Sequence, residues 1–122
     1  MQLPEECTLL RIFFGEKEET EDGKLLDEAI LVKAREMQIA GATVLRGVLG
    51  FGHSTVLHSA KVLRLSQDLP VVIEIIDAPD KIERLIPEVL KLSRAGLITK
   101  EKALIVQHSA PADGRNETQD GS

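Results

Sequence analysis

The chain has 122 residues, a net charge of −5, 2% aromatic residues and neither Trp nor Tyr, which makes one modest domain with an aliphatic core of Leu, Ile and Val. The acidic balance and the lack of a basic block argue against a nucleic-acid binder, and no apolar run approaches the ~20 residues of a membrane span. Cys7 is the only cysteine, so an internal disulfide and a thiolate metal site are excluded, and a free thiol in a reducing cytoplasm is expected, with no signal-peptide pattern at the N-terminus.

Thr8–Phe14 (T-L-L-R-I-F-F) reads as a short apolar strand bounded by Gly15. Glu16–Gly23 is a charged loop. Lys24–Ala40 has helical period, with Leu26, Ile30, Lys33/Ala34 and Met37 on one stripe, and Gly41 is placed to stop it at C′. Ala42–Leu49 is a second strand that runs into Gly47, Gly50 and Gly52. Gly50–Asp68 is a long irregular connection in which V-L-H-S-A-K-V-L leaves room for a helical turn. Leu69–Ile76 is a third strand, with Pro70 tolerated at its start. Asp77 is the expected N-cap of a second helix and Pro79 lies in its first turn. That helix runs to about Arg94, presents Ile82, Leu85, Ile86, Val89 and Leu90 on one face, and ends at Gly96. Ala103–His108 is the last strand. The working domain is expected over residues 7–108. Residues 109–122 hold no Leu, Ile, Val, Met or aromatic residue and are expected to be disordered.

The order β-α-β-loop-β-α-β is a ferredoxin-like α+β arrangement, one antiparallel sheet with two helices on one face. The other face should then be polar in a monomer. Instead Leu9/Arg11/Phe13, Val44/Arg46/Val48 and Val72/Glu74/Ile76 each set one charge among apolar residues. A face so apolar is expected to be buried against other copies of the chain, with Arg11, Arg46 and Glu74 pairing within or across subunits, or simply solvated.

Candidate chemistry gathers at R-G-V-L-G-F-G-H, Arg46–His53. Gly lets another backbone or a ligand come close, and backbone N–H groups there can cradle an anion or nucleotide; a tight turn that only redirects the chain is the competing reading. No phosphate-loop motif G-x-x-x-x-G-K-[ST] occurs. His53 and His58 could bind a metal or phosphate or respond to pH. A metal site wants three or four ligands, for which Asp68 and Glu74 are the nearby carboxylates. Arg46, Lys61, Arg64, Lys100 and Lys102 are candidate phosphate partners, with Arg46 and Arg64 ahead of the rest. Ser54 beside the two histidines could mimic a Ser–His pair, without a nucleophile-elbow motif to support it. Cys7 has no activating base and reads as structural.

T-V-L-R-G-V-L-G-F-G-H (Thr43–His53), D-L-P-V-V-I-E-I-I (Asp68–Ile76) and S-R-A-G-L-I-T-K-E-K-A-L-I-V (Ser93–Val106) resemble the PII signal-transduction proteins, trimers of ferredoxin-like subunits. Gly15–Glu16, Arg46–His53, His58 and L-S-Q-D-L-P (Leu65–Pro70) resemble more specifically the PII-like DUF190 group. The chain departs from PII in having no Tyr for its signalling loop, Leu97 at the position of a phosphate-contacting Lys, and Arg115 as the only arginine beyond the last strand.

The resemblance implies a homotrimeric regulatory protein rather than an enzyme. It also implies an effector cleft between subunits at the base of the long loop, and loop reordering that docks a partner protein, with a membrane transporter or channel as one conceivable partner. Arg46, Gly47, Gly50, Phe51, Gly52, His53, His58 and Arg64 are the site residues it selects, and an adenine nucleotide is the effector it suggests. The alternatives are a metal-binding trimer akin to divalent-cation-tolerance proteins, using His53 and His58, and a small hydrolase.

Overall fold

The computed structural model describes residues 2–52, 68–93 and 96–109. They form β1 (Glu6–Gly15), α1 (Leu26–Glu36), β2 (Gly41–Arg46), β3 (Pro70–Asp77), α2 (Pro79–Leu92) and β4 (Leu97–Leu104). The sheet order is β2-β3-β1-β4 and every neighbouring pair is antiparallel. This is the expected ferredoxin-like topology, in which each helix crosses from one strand to a non-adjacent one.

Register explains which side chains are inside. Leu10↔Ile75, Ile12↔Ile73 and Phe14↔Val71 are direct partners across β1 and β3. All six are buried against Leu26 and Ile30 of α1 and Ile82, Leu85 and Val89 of α2. Both helices therefore cover the same sheet face, and the core is aliphatic apart from Phe14. Cys7 is buried near the N-terminus with its thiol on the Pro4 carbonyl at 3.3 Å. Burial, aided by the charge of Asp77, pushes the thiol above its ordinary range, which keeps it unreactive.

The element ends differ from expectation, and each difference has a local cause. The first helix stops at Glu36 rather than Ala40. Gln38, at φ 59°, is the left-handed residue. The N–H of Gln38 reaches Arg35 O and that of Ile39 reaches Ala34 O, the paired bonds of a Schellman close. Gly41 is thus free to begin β2 instead of capping α1. Asp77 belongs to β3, not to the cap of α2. Its buried carboxylate accepts from the N–H of Ala40 at 2.8 Å and of Ala78 at 2.6 Å and pairs with Lys81 at 3.2 Å, so it ties the start of β2 to the start of α2. The second helix ends at Leu92, and Arg94 and the residues expected as a tail beyond 109 lie outside the described residues. The last strand is Leu97–Leu104 rather than Ala103–His108. It is an edge strand that buries little, so its sequence L-I-T-K-E-K-A-L shows no clean alternation, and its lysines protect the open edge.

One expectation about the uncovered face is also corrected. On β2 that face carries Gly41, Thr43 and Leu45, paired with Ile76, Glu74 and Val72. Arg46 pairs with Val71 and so lies on the helix-covered face. The uncovered face thus holds one apolar row across all four strands, Leu45–Val72–Phe13–Leu97, followed by the polar row Thr43–Glu74–Arg11–Thr99. Leu45 is 47% and Leu97 59% exposed. Arg11 donates from Nε to Glu74 at 3.0 Å and from Nη1 to Glu101 at 2.8 Å, so the two carboxylates of this group share one guanidinium within the subunit.

Gly96 precedes β4 at φ +92°, and a Cβ there would sit 2.1 Å from the Phe13 carbonyl oxygen. Gly96→Ala is expected to cost about 2 kcal/mol or more through strain and displacement of β4, read as a lower denaturation midpoint in urea.

Candidate functional site

The glycine segment sits at the root of the long connection, where β2 leaves the sheet and β3 enters it. Gly47 still donates its N–H to the Pro70 carbonyl at 2.7 Å, one rung beyond β2. A Cβ on Gly47 would lie 2.8 Å from Pro70 Cγ, and one on Gly50 3.1 Å from it. A Cβ on Gly15 would lie 2.7 Å from Asp68 Oδ1. The Pro70 ring thus requires glycine at position 47, while a side chain at Gly50 would press on the same ring and one at Gly15 would displace the Asp68 carboxylate. Gly52 differs: a Cβ there would meet nothing within 4 Å. Phe51 is 70% exposed, and Val48 and Leu49 are exposed too.

Arg46 closes β2 and is held by two carboxylates. Its Nε donates to Glu16 at 3.1 Å and its Nη2 to Asp27 at 3.0 Å. Asp27 is buried in the first turn of α1, and its other oxygen accepts the Glu28 N–H at 2.6 Å. Glu16 is placed by β1, which it follows directly, and it touches both ends of the connection. Beyond Arg46, its Oε1 accepts the Leu69 N–H at 3.2 Å and its own N–H donates to Leu69 O at 2.8 Å. The Lys17 N–H donates to Asp68 at 3.1 Å. The hydrogen bond from Leu69, then that from Arg46, holds the Glu16 carboxyl below the usual glutamate range.

Of the site residues expected from sequence, Arg46, Gly47, Gly50, Phe51 and Gly52 are contiguous at this root. His53, His58 and Arg64, with Ser54 and Lys61, lie outside the described residues. Lys100 pairs with Glu83 of α2 and Lys102 with Glu6 at 3.7 Å; both stand on β4, across the sheet from β2. Glu74 is committed to Arg11 on the uncovered face, so it does not converge with Asp68. Among the described residues no group of three His, Cys, Asp or Glu is arranged to hold a metal. Sequence reasoning gave no role to the acidic partners Glu16 and Asp27. The available signal was Asp27 itself, a carboxylate beside Leu26 on the apolar stripe of a helix, which burial obliges to find a cation.

The Glu16 carboxyl titrates lower when folded than unfolded, so its contribution is present above the ordinary glutamate range and is lost as pH falls below about 4.5 through the depressed value. Glu16→Gln keeps an acceptor for Leu69 but removes the charge. Its stability measured by urea denaturation is expected to fall less steeply than that of the parent chain as pH drops below about 4.5. Parallel curves for the two proteins would refute the ion-pair role.

The pattern of the DUF190 family, described as "Uncharacterized ACR", matches residues 7–105. A UPF0166 protein from Aquifex aeolicus (strain VF5) is 41% identical over 98 residues, covering 80% of this chain and 91% of that protein. Two solved structures share the fold. A protein described as a PII-like signaling protein, from Thermus thermophilus, aligns with a TM-score of 0.55 at 14% identity, over 87% of this chain and 94% of the other. CPII bound to ADP and bicarbonate, from Thiomonas intermedia K12, aligns with a TM-score of 0.55 at 13% identity, over 87% and 93%. With these similarities spanning the described β-α-β-β-α-β sheet, the chain belongs to the DUF190 family and has a PII-like fold.

Proposed function

We propose that the chain is a PII-like regulatory protein, not an enzyme, that works as a homotrimer in the cytoplasm. It binds a small effector at the root of the long connection, and the state of that connection governs docking to a partner protein. The observation that carries this reading is the root itself: Arg46 and Leu69, at the two ends of the long connection, are pinned by a single carboxylate, Glu16, and Val48, Leu49 and Phe51 beside Arg46 are exposed. Gly52 leaves space for a ligand to approach the main chain, and Phe51 offers an exposed ring on which a planar base can stack. An adenine nucleotide suits that pair of features, and a protein of the same fold has been solved with ADP and bicarbonate. His53, His58 and Arg64 complete the site in this reading, as the family resemblance implies.

The trimer rests on the uncovered sheet face. The row Leu45–Val72–Phe13–Leu97 places four apolar side chains side by side, and burying such a row against other copies is favourable at about 25 cal/mol per Å². The Arg11–Glu74–Glu101 group beside it is paired within the subunit, one guanidinium between two carboxylates, and sets a single net negative charge at the edge of the contact.

Sedimentation of the chain at micromolar concentration is expected to give three times the monomer mass, and Phe13→Asp to give the monomer. A monomeric parent chain refutes the assembly. A thermal-unfolding panel of AMP, ADP, ATP, zinc and copper tests the site: a nucleotide at about a hundred times its dissociation constant adds about 2.7 kcal/mol. The gain is expected to shrink in Phe51→Ala. A response to zinc or copper alone, lost in His53→Ala/His58→Ala, would replace this reading with the metal-binding trimer.

A further inference from the structure

The helical side of the subunit, opposite the proposed trimer face, carries a furrow with no role in the reading above. A cleft of about 510 Å³ runs along the outside of α1, lined by Leu25, Glu28, Ala29, Val32, Lys33 and Glu36 on that side. A second cleft of about 340 Å³ shares Thr20 and Leu92 with the first and extends to Glu19, Glu21 and Leu90. The two form one continuous furrow between α1, the end of α2 and the Glu16–Leu25 segment.

Three observations say what fits there. The α1 residues follow one another at three- and four-residue spacing, so they form a single stripe about 16 Å long, three helical turns. Its centre is the small Ala29, flanked by Leu25 and by Val32, which is 58% exposed, with Leu90 at 48% on the opposite wall. Such a stripe accepts the ridge of another helix.

The second observation is charge. Lys24, Lys33 and Lys91 are each balanced by Asp22, Glu36 and Glu88. Glu19, Glu21 and Glu28 have no ion pair among the described residues, so the described residues of the rim are net negative.

The third observation is rigidity. The wall contributed by residues 16–25 is tied by Thr20 N–H to Lys24 O at 2.8 Å, Gly23 N–H to Thr20 O at 3.0 Å and Leu26 N–H to Glu18 O at 2.8 Å, so little ordering remains to oppose binding.

We propose that this furrow docks a basic amphipathic helix of a partner protein, its apolar side chains lying along Leu25, Ala29, Val32 and Leu90 and its Lys or Arg residues facing Glu19, Glu21 and Glu28. Residues 110–122 offer no Leu, Ile, Val, Met or Phe to such a furrow. A second copy docked symmetrically would bring two negative rims together.

The test titrates the isotope-labelled full chain with two peptides of about four helical turns. One places Leu at helical spacing among Lys, and the other replaces every Lys by Glu. The Leu/Lys peptide is expected to shift the backbone amides of Leu25, Ala29, Val32 and Leu92 saturably, and its affinity to fall with added salt. Val32→Asp is expected to weaken binding about tenfold or more. The double variant Glu19→Lys/Glu21→Lys is expected to weaken it comparably without changing the melting of the chain, because these side chains are at the surface and outside the helices. Equal binding of the Glu peptide, shifts that fall instead on the uncovered sheet face, or no shift with about 1 mM peptide would overturn the proposal. So would a loss of sedimentation mass in Val32→Asp, which would make the furrow a contact between copies.

Discussion

One carboxylate, that of Glu16, decides where the long connection leaves the sheet and where it returns. It bonds Arg46 at the end of β2 and the Leu69 N–H at the approach to β3, and its own amide completes a backbone bond to Leu69. The second arm of Arg46 then reaches Asp27 in the first turn of α1. Four separate segments of the fold meet at this knot. Asp27 is the member that cannot be left alone. A carboxylate this buried loses its hydration, and removing its cation partner strands it at a cost of several kcal/mol, reduced here because the Arg46 side chain is 52% exposed and water screens part of the loss.

This changes what Arg46 can do for a ligand. A guanidinium already shared between two carboxylates does not await an anion, and a phosphate would have to displace Glu16 to be gripped bidentately. The chemistry left unengaged at the root is the main chain around Gly52 and the ring of Phe51. In the proposed reading Arg46 is therefore a positioning group: it fixes the direction in which Gly47–Gly52 departs, and an effector would meet the backbone that it holds.

How far the sequence could be read depended on how local each signal was. Alternation in β1 and β3 is plain because their inward residues are uniformly aliphatic, and the helix stripes follow for the same reason, so the order of elements and the fold class are legible. The parity of β2 is not. Val44 and Leu45 are both apolar, and side-chain period two turns any wrong choice of face into a complete exchange, which is how pattern alone puts Arg46 on the side away from α1. The end of α1 misleads in a similar way: a left-handed Gln38 performs the closure for which Gly41, three residues on, is by residue type the better candidate. The glycines of the root are visible, but much of their reason is not. Gly47 and Gly50 make room for Pro70, which stands 20 or more positions along the chain, and no local pattern announces that contact. Glu16 and Asp27 are hidden likewise, since their partner Arg46 is brought to them only by the closed sheet.

The knot and the helical furrow are built from the same short stretch of chain. Glu16 and Lys17 hold the root, the next residues form the tied segment that walls the furrow, and α1 begins with Leu26 and Asp27, the latter back at the knot. Nothing slack separates them. Any ligand that drew Arg46 away from Glu16 and Asp27 would loosen both anchors of that wall at once, whereas a ligand content with the Gly52 backbone would leave it standing. Because a coupling free energy between two sites is reciprocal, a helix seated in the furrow would in the first case oppose the ligand by the same factor. The two modes of ligand binding thus differ measurably, the first carrying a negative coupling to the furrow and the second none, and the difference comes from one arginine with two carboxylate partners.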